Sequence, residues 1–146
     1  MSTRHDDDAE VCPAGFEPLH SSAFVEFLGP VYVSVATPGE DAPRFRVLVR
    51  PVHANTHGHA HGGFLAAVLD AAAGHGTRRI LGEPSGLRTV TTTLDHVAPV
   101  AVGQWAEITV TLDRAGRRTA FACCRVHADD VLVARASVVL SRPPRA

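Results

Sequence analysis

Apolar residues recur along this chain with two different periods. Between Phe16 and Leu28 they fall at Phe16, Leu19, Phe24, Val25 and Leu28, intervals that predict a short helix stopped by Gly29-Pro30. Val31 to Ala36 is a β-branched run closed by the turn-rich Thr37-Pro38-Gly39-Glu40-Asp41. After it Phe45, Val47 and Val49 alternate with Arg46 and Arg50, so the two runs predict a hairpin. From Phe64 the pattern changes. Phe64-Leu65-Ala66-Ala67-Val68-Leu69, then Asp70, then Ala71-Ala72-Ala73 is apolar on almost all sides, which predicts a helix buried on nearly every face and reaching Ile80 or Leu81. Arg78 and Arg79 suit the negative end of its dipole, and Gly82 and Pro84 stop it. The remainder has period two: Thr89 to His96, Ile108-Val110-Leu112 against Glu107, Thr109, Thr111 and Asp113, Thr119 to His127, and Val131 to Ser141. Tight turns fall at Ala115-Gly116 and Asp129-Asp130. The expected architecture is α+β, a curved antiparallel sheet of five to six strands wrapped around one long buried helix, its last four strands in a meander.

Residues 1 to 13 are acidic, polar and without periodicity, and read as a flexible N-terminal tail; 14 to 146 read as a single domain. A chain of 146 residues has room for one core and not for two. With 45% hydrophobic residues, 20% charged residues and a formal charge of −1, the composition is that of a globular protein with no general affinity for nucleic acid. All 14 basic residues are arginine, which excludes Schiff-base lysines and phosphate-loop lysines. Apolar runs stop well short of the ~20 residues of a spanning helix. Asp6-Asp7-Asp8 also stands where a signal peptide needs a basic and then an apolar run, so the expectation is a cytoplasmic protein with no membrane partner. Cys12, Cys123 and Cys124 have neither disulfide nor zinc spacing and read as reduced thiols, Cys123 and Cys124 pointing to opposite faces of a strand.

The one charge in the apolar helix is Asp70. A carboxylate is costly there unless it is paired or used, and burial would raise its pKa, so it is the first candidate for a catalytic group. Upstream, Asn55-Thr56-His57-Gly58-His59-Ala60-His61-Gly62-Gly63 runs straight into the helix. A helix start bears free N–H groups, and glycines let an oxygen approach them, which is the making of an oxyanion hole. Gly62 and Asp70 are eight residues apart, or about 12 Å along one helix, too far to act on one carbonyl carbon. If both work on one substrate, a second copy must bring its own Asp70 beside this Gly62 in a two-fold dimer. His53, His57, His59 and His61 have no carboxylate or cysteine at ligand spacing, so no metal is expected, and His61 is expected to orient the turn by a hydrogen bond. No G-x-S-x-G elbow occurs around Ser85 or Ser137.

Asn55-x-x-Gly58-x-x-His61-Gly62-Gly63, followed by Leu69-Asp70 and Ala72-x-Gly74, resembles the hotdog-fold acyl-CoA thioesterases of the phenylacetic-acid-degradation, 4-hydroxybenzoyl-CoA thioesterase-like, type. The likeness runs over roughly residues 30 to 141. It implies the hotdog fold, with the sheet as bun and the helix as sausage. It also implies hydrolysis of an aryl or short- to medium-chain acyl-CoA, with coenzyme A as part of the substrate and no separate cofactor. Asp70 matches the acid that serves as general base or as nucleophile, Gly62 the glycine whose N–H polarises the thioester carbonyl, and Asn55 the amide that positions water or acyl group. Thr89 lies near a position where relatives have a serine or threonine assisting the water. His96 stands where many relatives have an aromatic or aliphatic residue toward the pantetheine arm, and Gly74 where one branch has a catalytic threonine. The resemblance further implies a homodimer assembling to a homotetramer. Arg114, Gly116, Arg117, Arg118 and Thr119 form a turn whose arginine forks suit coenzyme A phosphates, and Gly63 completes the helix entry. A non-catalytic acyl-CoA-binding module and a hotdog enoyl-CoA hydratase or dehydratase are the competing readings.

Overall fold

The computed structural model describes residues 11–37, 42–83 and 86–144. Most of residues 1 to 13, the expected tail, therefore lies outside the described residues, as do Pro38 to Asp41 of the first turn. The elements are β1 (Phe16–Pro18), α1 (Ala23–Leu28), β2 (Val31–Ser34), β3 (Arg44–Leu48), α2 (Gly62–Leu81), β4 (Arg88–His96), β5 (Trp105–Ala115), β6 (Thr119–Ala128) and β7 (Val131–Ser141). The strands form one antiparallel sheet in the order β1-β2-β3-β5-β6-β7-β4, curved around α2 in the hotdog arrangement.

Period two decides which faces meet the helix. Ala106, Ile108 and Val110 of β5, Ala122, Cys124 and Val126 of β6, and Ala136, Val138 and Leu140 of β7 point inward against Leu65, Val68, Leu69, Ala72 and Ala73 of α2. Gly76 lets the helix lie close on β5, since a Cβ there would stand 2.8 Å from Val110 Cβ. Cys124 is buried and Cys123 only partly so, on opposite faces of β6. Burial pushes the Cys124 thiol up to about 12. The β6–β7 hairpin turns at Asp129 and Asp130, both with positive φ (48° and 63°), a two-residue turn whose twist matches the strands.

Two expectations change. The segment with helical spacing from Phe16 splits: Phe16–Pro18 pairs with β2 as a seventh strand, and helix begins only after Ser22, whose Oγ accepts the Val25 N–H at 3.3 Å. The last four strands are not a simple meander. β4 crosses to the far edge and pairs with β7, leaving β5 beside β3, because the segment after His96 runs across the end of the sheet.

Candidate active site

The loop entering α2 is held on both sides before the helix begins. Asn55 Oδ1 accepts the N–H groups of His57 (2.9 Å) and His59 (3.2 Å), around a Gly58 with φ +78°. Ala60 N–H donates to Val100 O and His61 N–H to His53 O. Beneath the loop, His53 Nδ1 accepts the Arg50 N–H (3.1 Å), so Nε2 carries the proton and donates to Leu28 O (2.8 Å). The His53 ring stacks on Phe64 at 3.8 Å, and burial lowers its pKa. His61 then caps α2, its Nδ1 accepting the Gly63 N–H at 2.9 Å. The Gly62 N–H, one residue earlier, meets no acceptor among the described residues. Gly62 lines a cleft of about 410 Å³ together with Asn55, His59, His96 and Pro99. His61 thus holds the turn into the helix through its ring, and the Asn55 carbonyl oxygen is committed to the loop itself.

Asp70 lies two turns further on and is exposed, against the expectation of a helix buried on nearly every face. The reason is geometric: the sheet covers only one side of α2. Gly63, Ala66, Ala67, Asp70, Ala71 and Gly74 fall on the side that no layer of this chain closes. Thr89 Oγ1, from the edge strand β4, donates to Asp70 Oδ1 at 2.7 Å. The carboxylate borders a second cleft, about 440 Å³, with Gly74, Ser21, His75 and Arg78 on its wall. Nothing in the sequence motif points to His75 there. Its Nε2 is 2.9 Å from Ser21 Oγ and its Nδ1 is 3.4 Å from Arg78 Nη2. A guanidinium can only donate, so Nδ1 accepts and the proton sits on Nε2, facing the serine. Burial and the Arg78 charge lower the His75 pKa. His75 and Arg78 follow Asp70 on the same helix, but Ser21 comes from the connection between β1 and α1, a juxtaposition that spacing does not carry.

One chain therefore does not bring its site residues together. Gly62 and Asp70 stand about 12 Å apart along α2. The turn of Arg114, Gly116, Arg117, Arg118 and Thr119 lies at the opposite end of that helix. Its Gly116 N–H donates to Thr119 O at 2.7 Å, and Arg142 donates both to Gly116 O and to Glu83 just past the helix C-cap. From Gly62 to that end is about 28 Å of helix. Arg114, Arg117 and Arg118 are exposed. Among the described residues no group of three His, Cys, Asp or Glu gathers as a metal site, and no helix is long and apolar enough to cross a membrane.

Residues 57–138, more than half the chain, match the Thioesterase superfamily. The chain belongs to that superfamily. Membership of that superfamily makes it a thioester hydrolase. A Pseudomonas aeruginosa protein provisionally named an esterase, PA0474, is 36% identical over 135 residues, 90% of this chain and 97% of that protein. Among solved structures, a mutant of the phenylacetic acid degradation protein PaaI from Thermus thermophilus is 27% identical. It aligns with a TM-score of 0.70 over 84% of this chain and 100% of its own. A Streptococcus mutans protein solved bound to acetyl CoA shares the fold at 17% identity, with a TM-score of 0.67 over 78% of this chain and 91% of that one.

Proposed function

We propose that this superfamily member is an acyl-CoA thioesterase whose active centre forms between two copies of the chain, the Gly62 N–H of one facing the Asp70 carboxylate of the other. The observation that carries this reading is the placement of these two groups on α2. Asp70 stands on its uncovered side and Gly62 two turns earlier at its N-terminus, each lining its own cleft, so each chain holds two complementary halves. An antiparallel second helix turns two halves into two whole sites.

Hydrolysis follows from the groups available. Water attacks the thioester carbon and gives its proton to the partner's Asp70; the C=O π pair moves onto oxygen, where the Gly62 N–H and the positive end of α2 hold the charge. The oxyanion then collapses, the C–S bond breaks with its pair on sulfur, and coenzyme A takes up the proton as a thiol. Thr89 occupies Oδ1 of the carboxylate and so directs Oδ2 toward the water. The Arg114–Arg118 turn lies far from Gly62 of its own chain, so in this reading its forks would serve the phosphates of a coenzyme bound at the partner's Gly62.

The test is coenzyme A release, followed with a thiol reagent, from aryl and aliphatic acyl-CoAs. The native protein turns over at least one, and Asp70→Asn lowers kcat about 10²-fold or more while remaining folded. No hydrolysis of any thioester by the native chain overturns the reading; hydration of an enoyl-CoA in its place establishes the hydratase alternative.

A further inference from the structure

The cleft at the start of α2 contains one side chain whose placement the single N–H of Gly62 does not account for. His96 ends β4, and the backbone just after it is pinned: the N–H groups of Val97 (2.8 Å) and Ala98 (3.1 Å) both donate to Val133 O. Its ring points its far end at Gly62. A Cβ built on Gly62 would lie 3.0 Å from His96 Nε2, 3.3 Å from Cε1 and 3.7 Å from Cδ2, so the nearest atom is the nitrogen at the tip. Neither ring nitrogen has a partner among the described residues, which leaves Nε2 free to carry the proton and donate it.

We propose that His96 is a catalytic residue, its Nε2–H the second donor of the oxyanion hole that Gly62 begins. This inference rests on the thioesterase reading of the site. The distances permit it. A backbone nitrogen lies about 2.5 Å from its own residue's Cβ, so His96 Nε2 is within about 5.5 Å of the Gly62 nitrogen. Two donors that share one oxygen at about 2.9 Å each stand no more than about 5.8 Å apart. One oxyanion can therefore accept from both. A single backbone N–H leaves the other lone-pair directions of a developing oxyanion unserved, and of the side chains lining the cleft it is His96 whose ring tip comes up against Gly62. The same geometry explains the glycine at 62: any side chain there would occupy the place of the imidazole tip or of the substrate oxygen.

The donor must act on the carbonyl oxygen and not on the pantetheine arm, and the experiment separates these. Turnover of the acyl-CoA that the native protein hydrolyses best is measured for His96→Leu and His96→Gln. Binding of the matching S-alkyl-CoA thioether, which has the arm and the chain but no carbonyl, is measured in parallel. Expected are a fall in kcat of about 10- to 100-fold for His96→Leu, recovery of most of that by the amide donor of His96→Gln, and thioether affinity within about twofold of native for both. His96→Ala replaces the leucine variant if that one does not stay folded. Native-like kcat in the leucine variant, no recovery with glutamine, or a loss of thioether affinity as large as the loss of kcat each overturns the assignment while leaving the thioesterase reading intact. Absence of thioester hydrolysis by the native protein overturns both.

Discussion

Among the described residues, the hydroxyl of Thr89 makes the hydrogen bond that ties the Asp70 carboxylate to the sheet. Its bond to Oδ1, at 2.7 Å, fixes which way the carboxylate faces. Thr89→Ala is expected to lower kcat about tenfold with little change in KM, and Thr89→Ser to restore most of it, measured by steady-state coenzyme A release. At this scale the sequence is informative where a residue type is out of place. A lone Asp70 in an alanine- and leucine-rich run, and a glycine pair at the mouth of a helix, are visible without coordinates. The nearness of Thr89 and His96 to those residues is not given by composition or spacing, only implied by the family resemblance, because it depends on β4 folding back along an uncovered helix. The histidines illustrate the same limit. His61 caps the helix through a bond two residues away and is readable from spacing. His53 supports the loop through Leu28, from another element, and is not.

Between elements, close packing and buried imidazoles set the tolerances. Gly76 is where α2 touches β5 most tightly, so Gly76→Ala, with a Cβ 2.8 Å from Val110, is expected to destabilise by about 1–3 kcal/mol and to lower the thermal midpoint accordingly. Gly74 on the opposite side has nothing within 4 Å, so alanine there is the matching control for fold stability. His53 ties α1 to the loop before α2 and is neutral when it does so, since Nδ1 must accept from Arg50. Its pKa in the fold lies below the ordinary value of 6.5, chiefly through burial. The unfolded chain therefore takes up the proton first as pH falls. The stability His53 contributes is complete above about 6.5 and is lost as pH drops from there toward the folded-state value. The thermal midpoint is expected to fall between pH 7 and 5, less steeply in His53→Gln; equal slopes would locate the acid sensitivity elsewhere, with His75, lowered in the same direction, as the next group. The two main sequence periods are legible at this scale because burial enforces them. The Phe16 to Leu28 segment misleads because its spacing is shared by a three-residue strand, an irregular connection and a six-residue helix.

For the whole molecule, the sheet order is what a linear reading misses. Local turns indicate that β5, β6 and β7 are neighbours, but nothing local says that β4 will pair with β7 and end the sheet, exposed along most of its length. That position puts Thr89 and His96 on the same open side as Asp70 and Gly62, which is the side a second chain would close. The two-chain site has a sharp test. Mixing Asp70→Asn chains with Gly62→Val chains, each inactive alone, yields heterodimers with one intact centre and one doubly damaged, so random exchange is expected to restore about a quarter of native activity. No recovery, with exchange verified by mass, would place the whole centre within one chain.

The separation of Gly62 from Asp70 on one straight helix also acts as a ruler. In a two-fold pair each helix supplies the oxyanion donor to one centre and the carboxylate to the other, so the two reacting carbons lie about 12 Å apart along the helix axis, a spacing set by eight residues of helical rise. In the proposed pair, acyl chains entering from both ends would draw on the space between the helices. The combined length of two bound acyl groups, rather than the length of either, would then set how long a substrate can be when both centres are filled.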